Sequence, residues 1–436
     1  GSSMNNYYKV FLGICVLSVL TLVVMLFMGY RAETGPLAVA FFVALAIGIR
    51  GTPLKGLAFT VWIFAAVTAS MFYPKYFVEI GSFQLKILIV PLMQIIMFGM
   101  GTAMSIKDFV GVIKMPKGVF VGMLCQFTIM PFVGFGLAKS FGFPPEIAAG
   151  VVLIGSSPCG LASNVMNYIA SNNLALAVTL TACATMAAPI MTPFMMKMLA
   201  GQMIQISFVD MMLGIIYMVI IPIGAGLMFN HYAHTRFKMS ETLKHVIIIA
   251  IFIVIWFAIS LSGSTGEKLL RIGDLFKNMS ITFIIAGFVG WVINYFAKGN
   301  TRFLDKIMPI VSMVGIAYII TIITAAGRDN LLAIGITLVF AAIIHNTLGY
   351  VFGYWGSRMF GLNKKDCRTI AIEVGLQNGG MASGLALQMG KVATVGLAPA
   401  VFGPWMNISG SALANWWRSR PATDDVDQED AAQVEA

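Results

Sequence analysis

Glu373-Val374-Gly375-Leu376-Gln377-Asn378-Gly379-Gly380-Met381-Ala382-Ser383 is a polar, glycine-broken stretch inside strongly apolar text. Shifted back by 220 positions, Val374 to Ser383 falls on Ile154-Gly155-Ser156-Ser157-Pro158-Cys159-Gly160-Leu161-Ala162-Ser163, with two glycines, the alanine and the serine identical. The same shift lays Gln126 on Asn346, each upstream of its own polar stretch. Gly/Pro interruptions at corresponding places in two halves of a hydrophobic chain are the mark of discontinuous helices that meet near a bilayer midplane.

Composition agrees with a membrane setting. Of 436 residues, 58% are hydrophobic and 11% charged, far from the balance of an ordinary soluble domain. Gly1-Ser2-Ser3 reads as an expression remnant ahead of Met4, and the apolar run Val10–Tyr30, without a small-residue cleavage site, reads as a retained helix. The net charge of +10 comes from Lys and Arg scattered singly through short connections, a positive-inside pattern that excludes a nucleic-acid face. The five cysteines show no CxxC spacing and read as free thiols, and the 30 methionines as adaptable packing. No Walker loop, HExxH, GxSxG or zinc spacing is present, so an enzyme has little support.

The fold class expected is an all-α polytopic membrane protein of about fourteen helices. The apolar runs are 10–30, 36–49, 56–73, 87–105, 118–138, 147–170 and 174–199, then 208–229, 245–262, 280–297, 307–326, 331–357, 369–389 and 395–417. The run at 36–49 is short enough to be re-entrant instead. Seven runs in each half make the halves enter from opposite sides, as an inverted repeat requires. The first repeat covers 10–203 and the second 207–417, with broken helices at 147–170 and 369–389. Residues 1–9 and the acidic stretch 418–436 lie outside the repeats, the latter reading as a disordered tail. A cytoplasmic N-terminus puts the larger share of Lys and Arg, among them Lys107, Lys114, Lys117, Arg236 and Lys238, on the cytoplasmic side. Both termini are then cytoplasmic.

Within this frame Glu373 is a carboxylate at membrane depth, which is costly unless it is paired or holds a cation. Gly379-Gly380 and Pro158-Cys159-Gly160 are expected to interrupt the helical ladder and free carbonyls. With Glu373, Gln377, Gln126 and Asn164 these carbonyls form an oxygen-rich cage suited to Na+, while the half-helix N-termini at Leu161-Ala162-Ser163 and Met381-Ala382-Ser383 attract an anion. His345 reads either as a proton relay or as a hydrogen-bonded core residue.

These residues make the chain resemble the bile acid:sodium symporter family. The resemblance runs from about Gly56 to Trp417 and rests on Met97-Phe98-Gly99-Met100-Gly101, Gln126-Phe127 before Met130-Pro131, Pro158 to Asn164, His345-Asn346-Thr347-Leu348-Gly349-Tyr350, Glu373 to Asn378, and Asn407-Ile408-Ser409-Gly410. It implies a panel domain (10–105 and 208–326) and a core domain (118–199 and 331–417) with two broken crossing helices. It also implies one sodium site from Ser163, Asn164, Thr181 and Glu373, and a second from Gln126, Glu373, Val374, Leu376 and Gln377. The substrate residues it implies are Leu161, Ala162, Asn378, Gly379, Met381 and Asn407. Ala177, Leu161 and Met406 depart from residues frequent in the family, so the substrate is not carried over by analogy. Residues 10–30, 36–49, 245–262 and 280–297 exceed the family's ten helices, two in each half.

The function implied is a sodium-coupled symporter importing an organic anion, such as a bile acid, a steroid conjugate or a small keto or hydroxy monocarboxylate. It needs no cofactor beyond Na+ as coupling ion and no nucleic acid, and it sits in a lipid bilayer, the bacterial inner membrane. A proton-coupled carrier and a non-transporting ligand sensor are the alternatives.

Overall fold

The computed structural model describes residues 5–30, 34–263, 265–298, 300 and 302–422. Residues 1–4 and nearly all of the acidic tail lie outside the described residues. The first half contains α1 (Asn6–Phe27), α2 (Gly35–Gly48), α3 (Ala58–Phe72), α4 (Pro74–Val78), α5 (Ile89–Ala103), α6 (Ile106–Lys114), α7 (Pro116–Ser140), α8 (Pro145–Ser156), α9 (Leu161–Ile169) and α10 (Leu174–Leu199). The second contains α11 (Phe208–Ile215), α12 (Ile221–His234), α13 (Met239–Leu261), α14 (Glu267–Ala297), α15 (Arg302–Ala326), α16 (Arg328–Met359), α17 (Lys364–Gly375), α18 (Gly379–Gln388) and α19 (Leu397–Arg418). One π-turn, Ile216–Ile220, joins α11 to α12.

Each of the fourteen apolar runs falls on a helix or on a pair of helical segments. Among the described residues ten helices are long and apolar enough to cross a membrane. Of the fourteen runs, those outside the ten are α2, the pairs α8–α9 and α17–α18, and α19; the short α4 and α6 also lie outside them. The all-α expectation holds, with one short hairpin beside the helices. Glu79–Ile80 pairs with Phe83–Gln84 in a small antiparallel hairpin whose turn places Gly81 at φ +62°, a region that favours glycine.

Local chemistry sets the helix ends. Ser105 and Asp108 form a capping box on α6, and the Asn173 and Asn363 side chains accept from Leu176 N and Asp366 N to start α10 and α17. The second break lies at Leu376–Asn378, not at Gly379-Gly380 as the sequence had indicated. Those glycines are the first two residues of α18, because the Asn378 side chain accepts from Met381 N at 3.0 Å and caps the helix there.

The large buried cluster joins α5, α8, α10, α15 and α17 to α19. Around it, α5 packs on α12 and α15, and α3 packs on α15. Gly101 and Gly226 face each other where α5 meets α12, and a Cβ on Gly101 would come within 2.9 Å of Ile223 Cα, so only glycine permits this approach. The four helices beyond the ten that the resemblance implies lie outside this body: α1 packs on α2 and α2 on α3, while α13 packs on α14 and α14 on α12. No side chain of α13 is buried, so its surface of Ile, Val and Phe is left for lipid.

Candidate functional site

The two helix breaks cross in contact. Asn378 N donates to Pro158 O at 2.8 Å and Gly160 N donates to Leu376 O at 3.2 Å, with Cys159 opposite Gln377 in an antiparallel bridge. Each break thereby satisfies backbone groups of the other, which no lone interrupted helix in a bilayer can do. An unbroken α17 would bond Asn378 N to Val374 O. That N–H points to Pro158 instead, leaving Val374 O among the end carbonyls of α17.

Glu373 is completely buried in the last turn of α17. Its Oε2 accepts from Thr181 Oγ1 at 2.7 Å and its Oε1 from Asn167 Nδ2 at 3.1 Å. Ser163 Oγ lies 3.5 Å from Thr181 Oγ1 and donates to Gly160 O at 2.6 Å. Asn164 completes the group. With its oxygen toward Thr181, the single Thr181 proton would have to serve both Asn164 Oδ1 and Glu373 Oε2. Turned over, the Asn164 nitrogen donates to Thr181 Oγ1 at 2.9 Å, to Glu373 Oε1 at 3.3 Å and to Ala177 O at 3.3 Å. Ser163, Asn164, Thr181 and Glu373 are therefore one cluster, built where α9 and α10 meet α17.

Among the described residues no Lys, Arg or His forms an ion pair with Glu373. Neutral donors alone satisfy its lone pairs. A carboxylate so buried still gains from an opposite charge, and the surrounding hydroxyl, amide and carbonyl oxygens are hard ligands of the kind that suit a small cation.

Gln126, Gln377, Val374 and Leu376 gather at the ends of α8 and α17. Gln126 Nε2 donates to Ser157 O and Gln377 Nε2 to Gly155 O, each at 3.0 Å, so both amides hang from neighbouring carbonyls at the end of α8. Their oxygens, Gln126 Oε1 and Gln377 Oε1, are buried and have no hydrogen-bond partner among the described residues. An orphan buried acceptor is costly, and two together fit a cation as the missing partner. Leu376 O already accepts from Gly160 N, which leaves one lone pair to offer. Asn346, which the shift aligns with Gln126, donates its Nδ2 to Gly375 O at 2.9 Å, at the end of α17.

On the other side of the crossing a cavity opens between the half-helices and the pair α5 and α15. Leu161, Ala162, Asn378, Gly379 and Asn407 line it, together with Gln377, Ser383 and Met406. Met381 does not. Its side chain is fully buried in the core, and its contribution is the backbone N–H held by Asn378. Met406 also has a second task, its Sδ accepting from Gln377 N at 3.3 Å.

Sequence reasoning missed Asn167. It lies one helical turn beyond Ser163 and Asn164 on α9, a spacing that was available as a signal, and it reaches both Glu373 and Thr369 O. Asn172 in turn donates to Asn167 Oδ1 at 2.8 Å and fixes its orientation. His345 is a bonded core residue, its Nε2 on Met130 O at 3.0 Å and its ring against Phe402.

Residues 90–272 match the sodium bile acid symporter family. An uncharacterized sodium-dependent transporter of Bacillus subtilis is 29% identical over 366 residues, 84% of this chain and 92% of the relative. A probable chloroplastic sodium/metabolite cotransporter of Arabidopsis thaliana is 29% identical over 324 residues, 74% of this chain and 65% of its own length. The ileal sodium/bile acid cotransporter of Homo sapiens is 30% identical over 224 residues, 49% of this chain and 64% of its own. These relatives are named as transporters, and this multi-pass membrane protein is similar to the sodium bile acid symporter family over residues 90–272.

Proposed function

We propose that the protein is a Na+-coupled symporter that imports an organic anion by alternating access. The observation that carries this reading is Glu373, a fully buried carboxylate with oxygen-bearing partners and no cationic one, next to two orphaned amide oxygens at a helix crossing. One Na+ is held by Ser163, Asn164, Thr181 and Glu373. Entry of the ion turns the Asn164 amide so that its oxygen faces the cation. A second is held by Gln126 and Gln377 with Glu373 and the carbonyls of Val374 and Leu376. Their charge favours an anion in the adjoining cavity, where the first N–H groups of α9 point outward from an uncapped N-terminus.

The two halves act as inverted seven-helix repeats, with α7 to α10 and α16 to α19 as the moving core and the helices of 10–105 and 208–326, α1 to α5 and α11 to α15, as the panel. The termini face the cytoplasm of a bacterial inner membrane, and no cofactor is needed. The cavity is mostly apolar, lined by Met93, Ile316, Ile319 and Ile320 among others, with a few amides at one end. That balance suits an anion carrying an apolar body.

Uptake into proteoliposomes under an inward Na+ gradient tests the reading. Wild-type protein should accumulate a labelled monocarboxylate or conjugated steroid, and Glu373→Gln should not. Uptake that persists when choline replaces Na+ at fixed pH would sink sodium coupling, and absence of counterflow for a ligand that binds would identify a sensor.

A further inference from the structure

A second concavity lies far from the crossing, among the helices that enlarge this chain. α12 ends at His234, α13 begins at Met239 and α14 ends at Ala297, so three helix ends meet at one face of the molecule. The hollow between them carries Arg236 and Lys298 with Thr235, Asn294 and Tyr295, and no carboxylate lines it. Glu241, on the first turn of α13, is turned to His231 at 3.4 Å. Neither Arg236 nor Lys298 has an acidic partner among the described residues. Asn294 Nδ2 donates to Thr235 O at 3.2 Å and braces the hollow's wall.

The basic hollow continues into an apolar groove between α13 and the pair α12 and α14. Tyr232, Phe237 and Trp291 belong to both. The groove runs on past His245 and Ile249 to Phe283, and Gly287 leaves it open where a side chain would stand. Tyr232 is held in place by a 2.9 Å bond to His245 Nδ1. Trp291 and Tyr295 stack at 6.1 Å and both are exposed, the placement of aromatic residues that sit at a membrane–water boundary. Two unpaired cations at headgroup level, opening downward into an apolar slot on a lipid-facing helix, are complementary to one kind of molecule only: an anionic amphiphile.

We propose that this cleft binds one anionic phospholipid, its phosphate held by Arg236 and Lys298 and an acyl chain lying along the groove floored by Gly287. Guanidinium pairs with phosphate through two parallel hydrogen bonds and ammonium as a point charge, so the two cations divide the headgroup between them. The lipid fills the seam between α13 and α12, where α13 contributes no buried side chain of its own, and fastens the added helices to the panel. Basic pockets between transmembrane helices are recognised lipid sites on physical grounds alone. This inference does not depend on which solute the central cavity carries.

The full-length protein, stripped of lipid in detergent, is titrated with phosphatidylglycerol, phosphatidylcholine or inorganic phosphate. Native mass spectrometry and the apparent Tm are read for each, since a ligand bound by the folded state raises Tm. Phosphatidylglycerol is expected to remain bound as a single adduct and to raise Tm well above the phosphatidylcholine value, with phosphate inert. Arg236→Gln with Lys298→Asn, asparagine being chosen because Lys298 sits at φ +50°, should weaken phosphatidylglycerol by about tenfold or more. Gly287→Leu, which fills the groove and leaves both charges, should weaken it comparably. Equal retention of both lipids, an unchanged adduct in the double variant, or a Tm rise from inorganic phosphate alone would each overturn the assignment. The comparison of the three ligands on wild-type protein stands even if a variant does not fold.

Discussion

Asn378 gives its backbone N–H to the Pro158 carbonyl at 2.8 Å, and these two residues are separated by the same 220 positions that align the two polar stretches. Each therefore stands at its partner's aligned position in the sequence echo. The Cys159–Gln377 bridge and the Gly160–Leu376 bond follow from the same register. The Asn378 side chain meanwhile caps α18 through Met381 N. Asn378→Ala keeps the backbone bond to Pro158 and deletes the cap, so it should cost about 0.5–2 kcal/mol. A lowered Tm in thermal unfolding checks the loss, and an unchanged Tm would show that the cap contributes nothing.

Thr181 and Asn167 approach the two oxygens of Glu373 from different helices. Hydrogen bonds to a charged group contribute about 1.5–3 kcal/mol, so Thr181→Val and Asn167→Ala should each raise the Na+ concentration for half-maximal uptake by about tenfold or more. Thr181→Ser retains the hydroxyl and should stay near wild type. A Na+ titration of uptake separates the outcomes.

Gln126 Oε1 and Gln377 Oε1 are buried without a partner. If a cation completes them, Na+ stabilises wild-type protein by mass action. Gln126→Leu should then lose most of the Na+-dependent rise in Tm while changing Tm in Na+-free buffer far less. An equal Na+-dependent rise in wild type and variant would argue against a cation there.

Gly375 packs under the ring of Tyr350, whose hydroxyl lies 2.9 Å from Ser409 Oγ, and Ser409 in turn donates to Asn346 Oδ1. Even one methyl at 375 would displace the ring. Gly375→Ala should therefore destabilise the protein by about 1–3 kcal/mol through overpacking and impair uptake, because Asn346 holds the end of α17 through Gly375 O. Tm and initial uptake rate measure the two effects.

Much of the site could be read before folding because its chemistry was anomalous in place. A carboxylate, two amides and paired glycine interruptions stand out against apolar text, and an internal shift relates them. Asn167 escaped notice because asparagine in a nine-residue amphipathic segment has no anomaly of its own; it gains meaning only when α17 lies against α9. The position of the second break was misjudged for a related reason. Two consecutive glycines look like the weakest point of a helix, but a capping side chain one residue earlier starts the new helix on them.

The sequence by itself determined that this chain spans a membrane many times, that its halves echo each other, and that an acidic group lies at depth with oxygen-bearing neighbours. Those conclusions follow from composition, periodic interruptions and the cost of charge in hydrocarbon, all local properties. Only the tertiary structure decided that the two breaks satisfy each other's backbone, that Met381 turns into the core while its neighbours line a cavity, and that two glutamine oxygens are left without partners. It also decided that α2 docks on α3 and α14 on α12, and that Arg236 and Lys298 share one hollow. Such facts depend on which surfaces meet, and residues hundreds of positions apart are brought together only by packing.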